Sequence, residues 1–557
     1  MSTRPDVIVI GSGISGGYAA KTLTEGGMHV LMIERGPQVD HGDYPTEGKE
    51  PWEMAERGLS SRVAREAEYG AGYSDEIDDY NAHFFATQAS APFETAPEKP
   101  FRWVRGHQLG GRSLTWGRGV PRWAAGDFRA NATDGLGTSW PIGYEDVAPW
   151  YDRVEAFIGV SGADDGLAHW PSGTFQPPFA LNAMEQHMRE AIRAAFPGRA
   201  LIAPRIANLT RPIDNRGACQ ARYQCSRGCS FGAYFSTQST TLPAAEATGR
   251  LTLMTDSRVT HLLQSPTGRV IGVVGRNRRT GESFRIEATA VVLAASALSS
   301  VQILMNSRAP ANPMGLGARS SALGRYIMDH PMCQVAVGEH DGLTENYIRG
   351  RRPMGTVMPR FQNIDGKTED FARGYFYSVA TWRAGWSAAM ARPGFGAAFK
   401  KSLNRPGPWR AGFLAFAECL PYHHNHITLG DKLDEDGMPI VRIDMAYSAN
   451  EHALIRHARR EATAMLSVAG FRILSEDDVP GPPGMSIHEM GGARMGEDPR
   501  TSVTDRWSRL HDAPNVVVAD GAVMASSACQ NPSLTYMALA ARACSRLAAD
   551  IRDSVLA

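Results

Sequence analysis

The chain has 557 residues, 43% of them hydrophobic and 21% charged, with 57 glycines. That length exceeds the ~250–300 residues at which one hydrophobic core stops growing, so two domains rich in tight loops are expected. Lys plus Arg and Asp plus Glu both total 58, a zero formal charge that gives nucleic acid or anionic lipid no electrostatic footprint.

No apolar run approaches the ~20 residues that cross a bilayer. The opening MSTRPD leads straight into a strand, so no signal peptide is expected. DVIVI (6–10) predicts a short buried strand, followed by Gly11-Ser12-Gly13-Ile14-Ser15-Gly16, a helical stretch, and a second strand ending at Glu34. Each piece suits a dinucleotide. Gly11 allows the tight turn, Gly13 lets the backbone approach a pyrophosphate, and Gly16 lets helix and strand pack closely. The helix N-terminus presents unpaired N–H groups to phosphate, and Glu34 is placed to bind ribose hydroxyls. This unit leaves FAD and NAD both open.

A second glycine loop follows at Arg105-Gly106-His107-Gln108-Leu109-Gly110-Gly111-Arg112-Ser113, then Trp116-Gly117-Arg118. LTLMTDSRV (251–259) and VVLAASALSS (291–300) predict strands, the second entering a helix. The Trp-, Pro- and Gly-rich stretch 340–415 suits an irregular, lidded segment. Within it Trp382, Trp386 and Trp409 suit either sugar stacking or core packing. Near the end come Ile487-His488-Glu489-Met490-Gly491-Gly492-Ala493-Arg494, Asn515-Val516-Val517-Val518-Ala519-Asp520-Gly521 and Asn531-Pro532-Ser533. The last of these opens an apparent helix, SLTYMALAARACSRLAADI, whose Ala538, Ala540 and Ala541 permit close packing. Asn followed by Pro is also an ordinary helix start, with Asn as the cap.

The seven cysteines are Cys219, Cys225, Cys229, Cys333, Cys419, Cys529 and Cys544, an odd and sparse set that is no disulfide framework. Cys219, Cys225 and Cys229 follow a C-x5-C-x3-C spacing. Three thiolates this close can converge on an iron–sulfur or zinc centre. No histidine lies within the stretch to complete a zinc site, and three ligands suit a [3Fe-4S] cluster. The alternative is three structural thiols, or one disulfide with a spare cysteine.

The order of these motifs resembles the glucose-methanol-choline (GMC) family of FAD oxidoreductases over nearly the whole chain. The resemblance implies a mixed α/β fold: a Rossmann-like FAD-binding domain assembled from 1–45, 95–120, 200–330 and 480–557, with a substrate domain and lid on an antiparallel sheet from 46–94, 121–199 and 331–479. It implies cofactor contacts at Gly11, Gly13, Gly16, Glu34, Gly110, Gly111, Ser113, Val259, Asp520 and Gly521. His488 matches the family's proton-accepting histidine and Asn531 its hydrogen-bonding partner. An imidazole suits the task because its ordinary pKa of ~6.5 lies near working pH. Relatives with covalent FAD carry a His just after the glycine loop. Here Ser113-Leu114-Thr115-Trp116 stands there, so non-covalent FAD is expected.

The cysteine spacing resembles the large subunits of FAD sugar dehydrogenases, in which three Cys hold a [3Fe-4S] cluster that feeds a cytochrome. CSFGAYFSTQSTTLPAAEATG and SSACQNPSLTYMALAARA resemble a narrower branch, the bacterial glucoside 3-dehydrogenases. The implied reaction is oxidation of a ring hydroxyl of a sugar or glycoside at carbon 3. Glu418 resembles a loop residue that approaches substrate; a salt bridge is its other reading. The implied partners are a small subunit carrying an export signal and a cytochrome c acceptor, with the periplasm reached by co-export; cytoplasm is the alternative. An oxygen-using GMC alcohol oxidase and a non-redox GMC lyase are the competing activities.

Overall fold

A computed structural model describes residues 4–70, 76–346, 353–383, 393–404 and 406–555. Trp386 lies outside the described residues. The sequence runs VIVI (Val7–Ile10), AVVL (Ala290–Leu293) and VVV (Val516–Val518) are apolar and buried throughout. Such runs suit a parallel sheet covered on both faces. They form one, in the order Val516–Val518, Ala290–Leu293, Val7–Ile10, Val30–Ile33, Leu251–Met254, every neighbouring pair parallel. Five strands far apart in the chain thus end side by side.

The stretch LTLMTDSRV is two strands rather than one. Leu251–Met254 closes the parallel sheet, the chain turns at Asp256 (φ +51°), and Ser257–Gln264 opens an antiparallel sheet with Val270–Asn277 and Ser283–Glu287. The first helix, Ile14–Glu25, packs against the C-terminal helix Ser533–Arg552, whose Ala538, Ala540 and Ala541 are buried. Small residues let the helices approach: a Cβ at Gly26 would stand 3.1 Å from that of Ala548.

The second large sheet is antiparallel, in the order Thr356–Met358, Tyr375–Arg383, Trp409–Ala417, Met332–His340, Arg472–Glu476. The stretch 340–415 therefore supplies most of three sheet strands and is less irregular than its composition suggests. Alternation along Tyr375–Arg383 explains the sheet's use of both faces. Tyr375, Tyr377 and Val379 pack with Leu454, Ile455 and Ala458 of the helix Ala449–Val468. Phe376 points the other way, stacked on Phe416 at 5.1 Å beside Trp170. Phe416 lies 5.9 Å from the His488 ring, so this second face looks onto the candidate site.

A smaller sheet joins Phe93–Thr95, parallel, to Pro439–Asp444, which pairs antiparallel with His426–Leu433. The fold is mixed α/β, a parallel nucleotide-type sheet with antiparallel sheets beside it. Among the described residues no helix is long and apolar enough to cross a membrane.

Candidate active site

The first glycine turn is built by exclusion. Gly11 has φ +96°, and a Cβ there would collide with Ala294 O, so only glycine fits. A Cβ on Gly16 would collide with Gly11 O, which is how the helix seats against the strand. Gly13 differs: nothing lies within 4 Å of where its Cβ would stand, and it caps the helix Ile14–Glu25 with no side-chain hydrogen bond. An uncapped helix N-terminus with open space before it is an anion seat.

Glu34 lies at the end of the second strand, buried, its Oε2 accepting from Ser12 N (3.1 Å) and Ser12 Oγ (2.6 Å) and its Oε1 from Gly36 N (3.0 Å). Burial pushes its carboxyl pKa up, and those donors pull it back. The second glycine loop meets the first. Gly110 N donates to Ser12 Oγ at 2.8 Å, and a Cβ on Gly111 would stand 3.5 Å from Gly13 Cα.

These loops border a cleft of about 1510 Å³, its open mouth included. Gly11, Gly13, Glu34, Gly111, Ser113, Val259, Asp520, Gly521, His488 and Asn531 all line it. Gly16 and Gly110 stand behind the lining, in the packing roles just described. Ser113 accepts at Oγ from Thr237 N (3.1 Å). Asp520 accepts from Ser300 Oγ (2.5 Å) and Ala522 N (3.0 Å), with its carboxyl raised by burial to about 6.

His488 and Asn531 meet at the cleft: Asn531 Nδ2 lies 3.3 Å from His488 Nε2. The helix begins at Ser533 with Pro532 at its cap position, one residue later than a cap at Asn531 would put it, and the Asn531 amide nitrogen faces His488. Burial above all, with the neighbouring His330 ring and the Arg112 guanidinium resisting a second positive charge beside them, holds the His488 ring well below the usual histidine pKa. It is therefore neutral at ordinary pH, as a proton acceptor must be.

Several site residues were not singled out for a role by the sequence. Asp329 accepts from the backbone N–H of Gly484 (2.8 Å), Ser486 (3.3 Å) and His488 (2.9 Å), pinning the loop that bears the imidazole. His330 touches His488 Nδ1 at 2.9 Å. Arg112 grips Glu489 and donates to Ile487 O. The run Asp329-His330-Pro331, polar within an apolar surround, was the available hint. Arg118, Ser296 and Ile487 line the cleft at positive φ, a clustering of backbone strain at one place.

Three other expectations fare differently. Glu418 is buried and ion-paired through Oε1 to Arg373 Nη1 at 2.5 Å, as its salt-bridge reading has it, and it is not among the residues that line the cleft. Trp409 is a core residue, 1% exposed, and Trp382 lies along the same sheet against Gly412. Cys219, Cys225 and Cys229 line one small pocket, where burial and the neighbouring thiols raise the Cys219 pKa. Yet among the described residues no three His, Cys, Asp or Glu side chains form a group able to hold a metal ion. The thiols share a pocket without closing into a ligand set, so the [3Fe-4S] expectation is not supported by this geometry.

The GMC oxidoreductase family model matches residues 15–332, and the C-terminal model of that family matches residues 421–540. The chain belongs to the GMC oxidoreductase family. It is 28% identical over 99% of its length to the 2-methyl-1,2-propanediol dehydrogenase of Mycolicibacterium austroafricanum, covering 97% of that protein. It is 24% identical to the fructose dehydrogenase large subunit of Gluconobacter japonicus, covering 98% of each. A C-glycoside 3-oxidase of Arthrobacter globiformis is 26% identical over 74% of this chain and 78% of its own. Among solved structures, pyridoxine 4-oxidase from Mesorbium loti superposes with a TM-score of 0.61 over 97% of this chain and 98% of that one, at 17% identity, a likeness of fold.

The family implies FAD, and this chain's cleft fits it. The Gly13 helix end is open and uncapped, Glu34 stands at the second strand's end, and Arg118 Nε and Nη1 are buried without a hydrogen-bond partner.

Proposed function

We propose that the protein oxidises a secondary hydroxyl of a sugar or glycoside, at carbon 3, with non-covalently held FAD as the acceptor. The observation that carries this reading is the 3.3 Å approach of Asn531 Nδ2 to His488 Nε2 at the glycine-bordered cleft. An alcohol seated there meets a bare imidazole nitrogen and an amide donor together. FAD, when bound, supplies the site for the departing hydride.

The chain's own residues do the rest. His488 Nε2 takes the hydroxyl proton. Asn531 Nδ2 turns from the ring to the substrate oxygen and steadies the negative charge developing on it. Gly13 and the helix end behind it seat the pyrophosphate, and Glu34 holds the ribose. Ser113-Leu114-Thr115-Trp116 supplies no histidine for a covalent link, which supports FAD that acid or denaturant releases.

Support for carbohydrate comes from relatives whose names are fructose dehydrogenase and C-glycoside 3-oxidase, and from the glucoside 3-dehydrogenase-like segments at 229–249 and 526–543. The test is anaerobic addition of a panel of glycosides, free sugars and small diols to the purified yellow protein, followed by product analysis. Bleaching with a 3-keto glycoside as product supports the reading. Bleaching by small diols alone replaces the substrate class, and no bleaching by any alcohol favours the lyase.

The acceptor of the electrons is decided separately. Arg118 lines the cleft and lies 5.3 Å from the ring of Tyr234, which lines the cysteine pocket, so the two pockets are neighbours. Iron in the purified protein with no peroxide output supports a dehydrogenase with a metal relay; peroxide without iron supports an oxidase.

A further inference from the structure

His488 touches a second buried histidine whose hydrogen bonds decide where its proton sits. His330 Nε2 lies 3.2 Å from Ser527 O and 3.1 Å from Ala528 O. Carbonyl oxygens only accept, so His330 Nε2 carries a hydrogen. Burial lowers the His330 pKa to about 4, which leaves the ring one N–H and makes its Nδ1 a bare acceptor. His488 Nδ1, 2.9 Å away, must then be the donor. His488 is itself neutral, so its Nε2 is bare, and Asn531 Nδ2 donates to it.

We propose that His330 is a positioning residue that holds the His488 proton on Nδ1 and thereby keeps Nε2 open as the proton acceptor. This rests on the reading of His488 as the base. Two backbone carbonyls set the first tautomer, and each ring sets the next. In the other tautomer His488 Nε2–H would face the Asn531 amide donor and have no lone pair for substrate. After His488 takes a proton, its Nδ1–H still donates to the neutral His330 ring, now as a charge-assisted bond.

The surroundings leave His330 no competing task. Its own backbone N–H donates to Ser486 Oγ (3.2 Å) and its carbonyl accepts from Tyr447 Oη (3.1 Å). The charged groups around the pair are Asp329, committed to the loop amides, and Arg112 and Glu489, committed to each other. The Phe416 ring covers His488 at 5.9 Å.

Two amide substitutions separate positioning from packing. In His330→Asn the amide oxygen falls near the former Nδ1 and can accept from His488. In His330→Gln the amide falls near the former Nε2, able to meet the Ser527 and Ala528 carbonyls but offering His488 nothing. The readout is the rate of anaerobic flavin bleaching by substrate at full flavin occupancy. We expect the Gln variant to slow it on the order of 10²-fold or more, and the Asn variant to recover at least about ten-fold of that loss.

A Gln variant at the native rate, or an Asn variant no faster than Gln, overturns the proposal. A second measurement uses the unaltered holoenzyme labelled with 15N-imidazole histidine, with His488 assigned by its disappearance in His488→Ala. Protonated Nδ1 and bare Nε2 are expected; a protonated Nε2 overturns the proposal even if both amide variants fail to fold. Loss of the base reading would show instead as unchanged bleaching in His488→Ala, whatever the tautomer.

Discussion

Arg112 Nη2 lies 2.8 Å from Glu489 Oε2, and its Nη1 lies 3.4 Å from Oε1 and 3.3 Å from Ile487 O. One guanidinium thus joins the second glycine loop to the residues on both sides of His488. The tie has something to restrain. Ile487, β-branched, sits at φ +56°, a conformation costing roughly 1–3 kcal/mol that persists only when neighbours over-determine it.

Replacing Arg112 by Met should therefore do two things. Glu489 would be left buried and unpaired, lowering stability by about 3 kcal/mol. The imidazole loop would relax, slowing flavin bleaching in protein that still binds FAD. Thermal unfolding and stopped-flow bleaching check this; native values for both contradict the role assigned to the tie.

Gly119 offers a gentler way to move Asn531. A Cβ at that position would stand 2.8 Å from Asn531 Oδ1, tight enough to push the amide, while the backbone there is not left-handed. Gly119→Ala should fold and hold FAD normally but lose about 10²-fold in bleaching rate, the scale of a small misplacement. Asn531→Ala should lose on the order of 10²–10³-fold, as for a lost transition-state donor. Equal native rates in both would remove Asn531 from the chemistry.

Dependence on pH follows from burial. The depressed pKa of His488 keeps it neutral down to well below 6.5, so the acid limb of the bleaching rate should fall below pH 6.5. Stability carries the same sign. In the unfolded chain His330 and His488 take protons near pH 6.5, whereas folded His330 takes one only near 4. The unfolded state then binds more protons, and stability should decline as pH drops below about 6.5, with no contribution from this pair above it. A limb centred at or above 6.5 contradicts the burial argument.

Cofactor retention should depend on Glu34. In Glu34→Ala the N–H groups of Ser12 and Gly36 lose their acceptor, and the first glycine turn loosens just where a ribose would lie. The purified variant should carry clearly less flavin than the native protein, read from its absorbance ratio. Undiminished flavin would place the ribose contact elsewhere.

What was legible in the sequence was local. The strand Val7–Ile10, the spacing of Gly11, Gly13 and Gly16, and Glu34 lie within 28 residues, where apolar runs and glycine spacing encode the geometry directly. His488 and Asn531 were readable through their motif, and they do meet. The machinery that aims them was not readable. His330 reaches His488 across 158 residues of chain and Arg112 reaches Glu489 across 377, and no short pattern records such contacts. The ion pair of Glu418 was hidden for the same reason, since its partner Arg373 is 45 residues away. In 340–415 the glycines and prolines sit mainly between strands, while YFYSVATWR alternates as a sheet strand does.

The most direct test of the central claim is anaerobic stopped-flow bleaching of His488→Ala by the best substrate of the panel. The account predicts a yellow protein with native flavin content, in which bleaching slows by about 10²–10⁴-fold and partly returns when free imidazole is added. Bleaching at the native rate in that variant would mean that the proton leaves to some other group, and the active site described above would be wrong.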